Sequence, residues 1–136
     1  MSERGSVPIE LAMGAGLLVL PMAILVLSFG PMAEGRTMAR AAAAEAARLV
    51  ALGGPTNNLE PEAVEMVRLM ATNAGLDADV VTVEFCEGTC QPVARGGVVV
   101  VSVSVAVPAV VTPFGTLTGT AVGEHVEAVD LYRSFP

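Results

Sequence analysis

A chain of 136 residues with a net charge of −7, a sequence pI near 4.5, no lysine and only scattered arginines carries no basic footprint for nucleic acid or for an anionic lipid patch. Hydrophobic residues make up 53% of it and the mean hydropathy is +0.65, too apolar for an ordinary soluble domain and concentrated at the amino-terminal end. With no tryptophan and aromatics at 4%, the remainder suffices for one small domain cored by Val, Ala, Leu and Met, and stabilised by a disulfide, a membrane or a partner.

Residues 1–5 form a short polar leader in which Glu3 and Arg4 cancel. Pro8 fits a first helical turn, where its missing N–H would be unpaired anyway. Leu11 to Gly30 is an apolar run about as long as a bilayer core is thick, roughly 20 helical residues. It exceeds the usual apolar region of a secretory signal, and no small-x-small cleavage site follows it promptly. Pro21 and Pro31 are expected to bend the helix, and the carbonyls they free must be satisfied by neighbouring helices or by local adjustment. Gly14, Ala15 and Gly16 offer small surfaces for close helix approach, as a generic anchor rich in small residues also does. Glu10 stands at the mouth of this run. At a bilayer centre a carboxylate costs about 2.5–3.5 kcal/mol on insertion scales, and less near an end.

Beyond the apolar run, Met38 to Leu52 is dense in strong helix formers, with Arg36, Arg40, Glu45 and Arg48 at solvated positions. Gly53-Gly54-Pro55 stops it. Residues 6–54 therefore read as one long, bent rod, half in lipid and half out. Residues 55–136 read as a small separate domain. After a loop at Thr56-Asn57-Asn58, a second helix begins near Glu60-Pro61-Glu62, with acids toward its positive dipole end. Ala63, Val67, Met70 and Ala74, joined by Val64 and Ala71, form its apolar stripe, and Gly75 caps it.

The rest is β. Val81, Val83 and Phe85 alternate with Thr82 and Glu84, and Val98 to Val107 alternates with Ser102, Ser104 and Ala106. A long loop ending at Gly96-Gly97 joins them as an antiparallel hairpin. Pro108 and Pro113 interrupt the pattern. Thr116 to Leu131 is a third strand, weakened by Gly119 and Gly123. The fold class is thus α+β: a long amino-terminal helix, then one helix and an antiparallel sheet of about three strands.

Cys86 and Cys90 are the two cysteines. Their close spacing suits a disulfide outside the cytosol, and such a short loop gains about 2 kcal/mol from chain entropy. Two reduced thiols in a cytosolic turn are the alternative. A zinc site lacks ligands, since only His125 is left to help. No catalytic set, phosphate loop or cofactor motif is present, and the chain reads as a non-enzyme without a cofactor. His125 is expected at a strand rim, and Glu62, Glu65, Glu124 and Glu127 on solvated faces.

Gly5, followed by Ser6-Val7-Pro8-Ile9-Glu10 and an immediate apolar run, resembles the processing site of type IV prepilins and pseudopilins. The resemblance implies cleavage by prepilin peptidase after Gly5, a new first residue Ser6, and Glu10 pairing with the amino terminus of an adjacent subunit. The run Gly5-Ser6-Val7-Pro8-Ile9-Glu10-Leu11-Ala12, the proline-broken helix, the segment Ala39-Arg40-Ala41-Ala42-Ala43-Ala44-Glu45-Ala46-Ala47-Arg48, the Cys pair and the Val-rich strand together resemble the TadE-type pseudopilins of tight-adherence pilus systems. Leu11 stands where an aromatic commonly follows the glutamate, and Pro21 falls later than the usual proline. The family implies a single pass through the cytoplasmic membrane with the carboxyl-terminal domain outside. It also implies partners among the lipid bilayer, other pilin or pseudopilin subunits and the pilus assembly machinery. Arginine counts run the other way, with Arg4 before the span and Arg36, Arg40 and Arg48 after it, so the orientation rests on the resemblance and the Cys pair. The alternative is an unprocessed bitopic protein whose outer domain binds envelope partners.

Overall fold

In the computed structural model, which describes residues 6–86, 88–112 and 115–132, the rod expected from the apolar and alanine-rich runs is one helix, α1 (Ser6–Gly53). It runs unbroken through Pro21 and Pro31. At 1.5 Å per residue it is about 70 Å long. A second helix, α2 (Glu60–Asn73), follows, and then a short 3₁₀ turn at Ala78–Val80. The chain is completed by three strands, β1 (Val81–Phe85), β2 (Val98–Thr112) and β3 (Gly115–Ala128). They form one antiparallel sheet in the order β1-β2-β3. The fold is α+β, as the sequence implies.

The two halves of α1 live in different surroundings. From Ile9 to Gly30 every described side chain except the half-buried Ile24 is exposed, Leu11, Leu17, Leu20, Leu27 and Phe29 among them. This stretch is long and apolar enough to cross a membrane. From Pro31 onward a stripe turns inward at three- and four-residue steps: Gly35, Ala39, Ala42, Ala43, Ala46, Ala47, Val50 and Ala51 are buried. These small side chains lie against Val99, Val101, Val103, Val105 and Val107 of β2, whose alternate residues all point to the same face. The carboxyl-terminal half of α1 is therefore part of the core of the small domain, and rod and domain share one hydrophobic centre.

The core differs in detail from the expected mixture. It is built of Ala and Val with Phe85, while Leu49, Leu76, Met32, Met38, Met66 and Met70 sit partly buried at its margin. Alanine on the helix and valine on the sheet explain the choice. A helix clad only in methyl groups can lie close over a sheet, and the branched valines fill the reduced gap at native density.

Three strand features correct the sequence reading. Pro108 does not interrupt β2; it pairs with Thr118, and a bulge at Ala109 follows before pairing resumes at Val110 and Leu117. Pairing with β1 ends at Val105, so Pro108 lies where one side of β2 is open, a position that tolerates a missing N–H. Pro113 lies outside the described residues. Gly119 and Gly123 do not weaken β3, because each stands where α1 crosses the strand. A Cβ at Gly119 would meet Met32, and one at Gly123 would overlap the backbone of Ala39 and Arg40.

The stripe of α2 is Ala63, Val67 and Ala71, and it ends there, since Ala74 is exposed. Gly75, at φ +75°, then turns the chain. Leu76 N–H donates to the Ala71 carbonyl at 2.9 Å and Gly75 N–H to that of Thr72 at 3.0 Å, the paired bonds of a left-handed helix terminus.

Candidate functional site

The sequence singles out two places, the start of α1 and the Cys86–Cys90 loop. Gly5 lies outside the described residues. Ser6 is the first residue of α1. Glu10 follows one turn later and is exposed. It is the one charged residue between Arg4 and Glu34 in the sequence. Beyond it, Glu10, Leu11, Gly14, Ala15, Leu18 and Val19 line a shallow apolar hollow along the helix flank. Among the described residues, a Cβ added at Gly14 or at Gly16 would meet nothing outside the local turn of the helix. Gly14, one turn from Glu10 on the same face, thus leaves a notch beside the carboxylate, whereas Gly16 falls on the other side of the helix. Chemically, the arrangement offers an acceptor for a cation beside a surface on which another helix can lie close.

The cysteines are bridged, at Cα–Cα 5.3 Å, and no free cysteine remains. Cys86 leaves β1 with φ +48°, and its N–H donates to the Val100 carbonyl at 2.8 Å. The bridge closes only the start of the long loop. The rest is tied down by a residue that sequence reasoning assigned only to the helix dipole. Glu60, in the first turn of α2, accepts from the Cys90 N–H at 2.7 Å and from the Thr89 hydroxyl at 2.9 and 3.1 Å. Asn58 in turn accepts from the Glu60 N–H at 3.0 Å. Further along, the peptide between Gln91 and Pro92 is cis, Val93 is buried, and Gly96 and Gly97 exchange backbone bonds with Val129. The loop is therefore a pinned structural element that fastens α2 to the sheet. The sequence marks Glu60 only as an acid near the start of a helix, and nothing local shows which amide it meets.

His125 lies at the rim of the sheet, partly buried, with Nε2 3.2 Å from Glu127 Oε2. Glu62, Glu65 and Glu124 are exposed, and Glu65 pairs with Arg68 at 2.9 Å. Among the described residues, no three His, Cys, Asp or Glu side chains gather as metal ligands would.

The two places are not brought together. Cys90 is bonded to Glu60, just past the far end of α1, while Glu10 is some 60 Å back along that helix. The end bearing Glu10 is bare and the end bearing the disulfide is packed, which separates an outward-facing element from a folding element. No family model, curated protein or solved structure matches the chain.

Proposed function

We propose that this chain is a minor, pseudopilin-like membrane subunit acting in the assembly of a tight-adherence pilus or a related secretion system. It is cut after Gly5 by a prepilin peptidase and anchored by the bare half of α1, with the α/β domain outside the cytoplasmic membrane. The observation that carries this reading is a lone carboxylate, Glu10, on a helix whose surface from Ile9 to Gly30 is left almost entirely uncovered by its own chain. An unpaired charge at an apolar boundary is costly, and a neighbouring subunit's amino terminus offsets that cost where the dielectric is low. The rigid join of α1 to the sheet adds a purpose. Whatever holds the apolar half of α1 in an assembly also fixes the position of the outer domain, because Gly35 to Ala51 belong to the core of that domain.

The competing reading is an unprocessed bitopic protein with a binding domain. It is favoured by the uncovered face of the sheet, where Val98, Val122 and Val126 are 60%, 50% and 53% exposed. Site-specific cross-linking from positions 14 and 18 of α1, in cells making the other pilus subunits, separates the two. The subunit reading expects adducts with pilin-like chains that weaken in Glu10→Ala at equal expression. Equal yields from parent and variant would reduce Glu10 to a boundary marker and favour the binding module.

A further inference from the structure

The β2–β3 hairpin lies along α1 down to Met32, next to the apolar half. Gly119 lies against Met32, Gly35 against Val107 and Ala121, and Gly123 against Ala39 and Arg40, so β3 and α1 ascend together. Between Gly119 and Gly123 the strand advances four residues while the helix advances seven, from Met32 to Ala39. Continued at the same pitch, the strand residues from Gly119 back to Gly115 reach a level near Leu25. Burial supports that extrapolation. Ile24 is half-buried, while every other described side chain from Ile9 to Gly30 is exposed. It also falls on the stripe that continues through Pro31, Met32 and Gly35.

The sequence of the hairpin matches this placement. No charged residue occurs between Arg95 and Glu124. Toward its end the hairpin carries Pro108, Ala109, Val110, Val111 and Leu117. Leu117 shares strand parity with the buried Ala121 yet is 66% exposed, so the protein leaves an apolar side chain open on its core-facing side.

We propose that the end of the β2–β3 hairpin is seated in the bilayer beside α1, at the level of the headgroups and upper acyl chains. This rests on reading α1 as membrane-spanning. If Glu10 marks one boundary, about 20 residues place the other near Gly30. Ile24 is six residues inside it, about 9 Å along the axis, which matches the 5–10 Å to which interfacial elements bury their apolar faces. Hydrogen bonding limits the depth. The two strands pair with each other as far as Thr112 and Gly115, and among the described residues β3, and β2 beyond Val105, form edges of the sheet, whose backbone groups favour interfacial water over the acyl core. The domain is then held to the membrane at two points, helix and hairpin, and does not swing on a single stalk.

The test uses the full chain in phosphatidylcholine vesicles. Cys86 and Cys90 are bridged, so one introduced cysteine is the sole reactive thiol. Leu117→Cys, Thr116→Cys, Leu25→Cys and Asn73→Cys are each labelled with an environment-sensitive fluorophore. The quenchers are nitroxide lipids of known depth and aqueous iodide. The proposal expects loss of emission at 116 and 117 to shallow nitroxides, at 25 to deep ones, and at 73 to iodide alone. Lipid quenching at 25 with iodide quenching at 116 and 117 overturns the seating and leaves the span intact. Shielding of 116 and 117 from both quenchers also overturns it, because protein then covers the hairpin. Absence of lipid quenching at 25 removes the span, and the seating with it.

Discussion

Gly123 of β3 lies against the peptide backbone of Ala39 in α1, so closely that a methyl group on the glycine would overlap the Ala39 carbonyl and the Arg40 nitrogen. The contact sets the distance between helix and sheet for the whole domain. It also decides what the stripe of alanines and the row of valines must be.

Gly123→Ala should therefore destabilise the domain at or beyond the upper end of the roughly 1–3 kcal/mol typical of overpacking, because backbone must move. Gly119→Ala should cost clearly less, since its new methyl meets the flexible end of Met32. Thermal unfolding of the detergent-solubilised protein, followed by circular dichroism, ranks the two. An equal loss for both would mean that helix and sheet are not held at this distance.

Glu60→Ala should loosen the disulfide loop. It removes the acceptor of the Cys90 N–H and the Thr89 hydroxyl, charge-assisted bonds that together contribute about 1–2 kcal/mol at a half-exposed site. Hydrogen exchange should quicken at Thr89 to Gln91. Glu62→Ala, two residues on, exposed and on the other side of α2, should leave exchange there unchanged.

These two predictions also mark where the sequence was legible. Alternation of Val81, Val83 and Phe85, and of Val98 to Val107, is a local signal, and both strands lie where it puts them. Glycine in a strand signals either weakness or a close backbone approach, and only the partner tells which; Gly119 and Gly123 are approaches. The inward stripe of α1 was hidden for a different reason. Ala41 is exposed and Ala42 and Ala43 are buried, so alanine on every face erases the periodicity that would reveal the packed one. Pro108 was misleading because the open side of β2 that tolerates it depends on how short β1 is. The tie from Glu60 to Cys90 joins residues 30 apart in the chain and has no local signature. At the start of α1, Glu10 was legible as an isolated charge in an apolar setting, whereas its partner belongs to another molecule on the proposed reading.

Thiol labelling of denatured, unreduced protein should find no free cysteine, because Cys86 and Cys90 are bridged. Reduction should lower stability by about 2 kcal/mol, the entropy of the short loop it opens. Two labelled cysteines in protein purified from membranes would remove the bridge and weaken the case for an outer compartment.

Glu10→Ala should leave the melting temperature of the α/β domain unchanged. The residue lies about 37 Å along α1 from Gly35, the first residue buried in the domain. Membrane insertion should be unaffected or slightly easier. A lowered melting temperature would show that the carboxylate serves folding and not assembly.

The central claim is that the chain enters the membrane as a precursor and acts as a processed subunit. Determining the amino-terminal residue of the membrane-bound form tests it most directly, alongside a variant in which Gly5 is replaced by a bulkier residue. The pseudopilin reading predicts a chain beginning at Ser6 in the parent and an uncut precursor in the variant. A parent chain that retains Gly5 and the residues before it, or a variant cut to the same size as the parent, would contradict it.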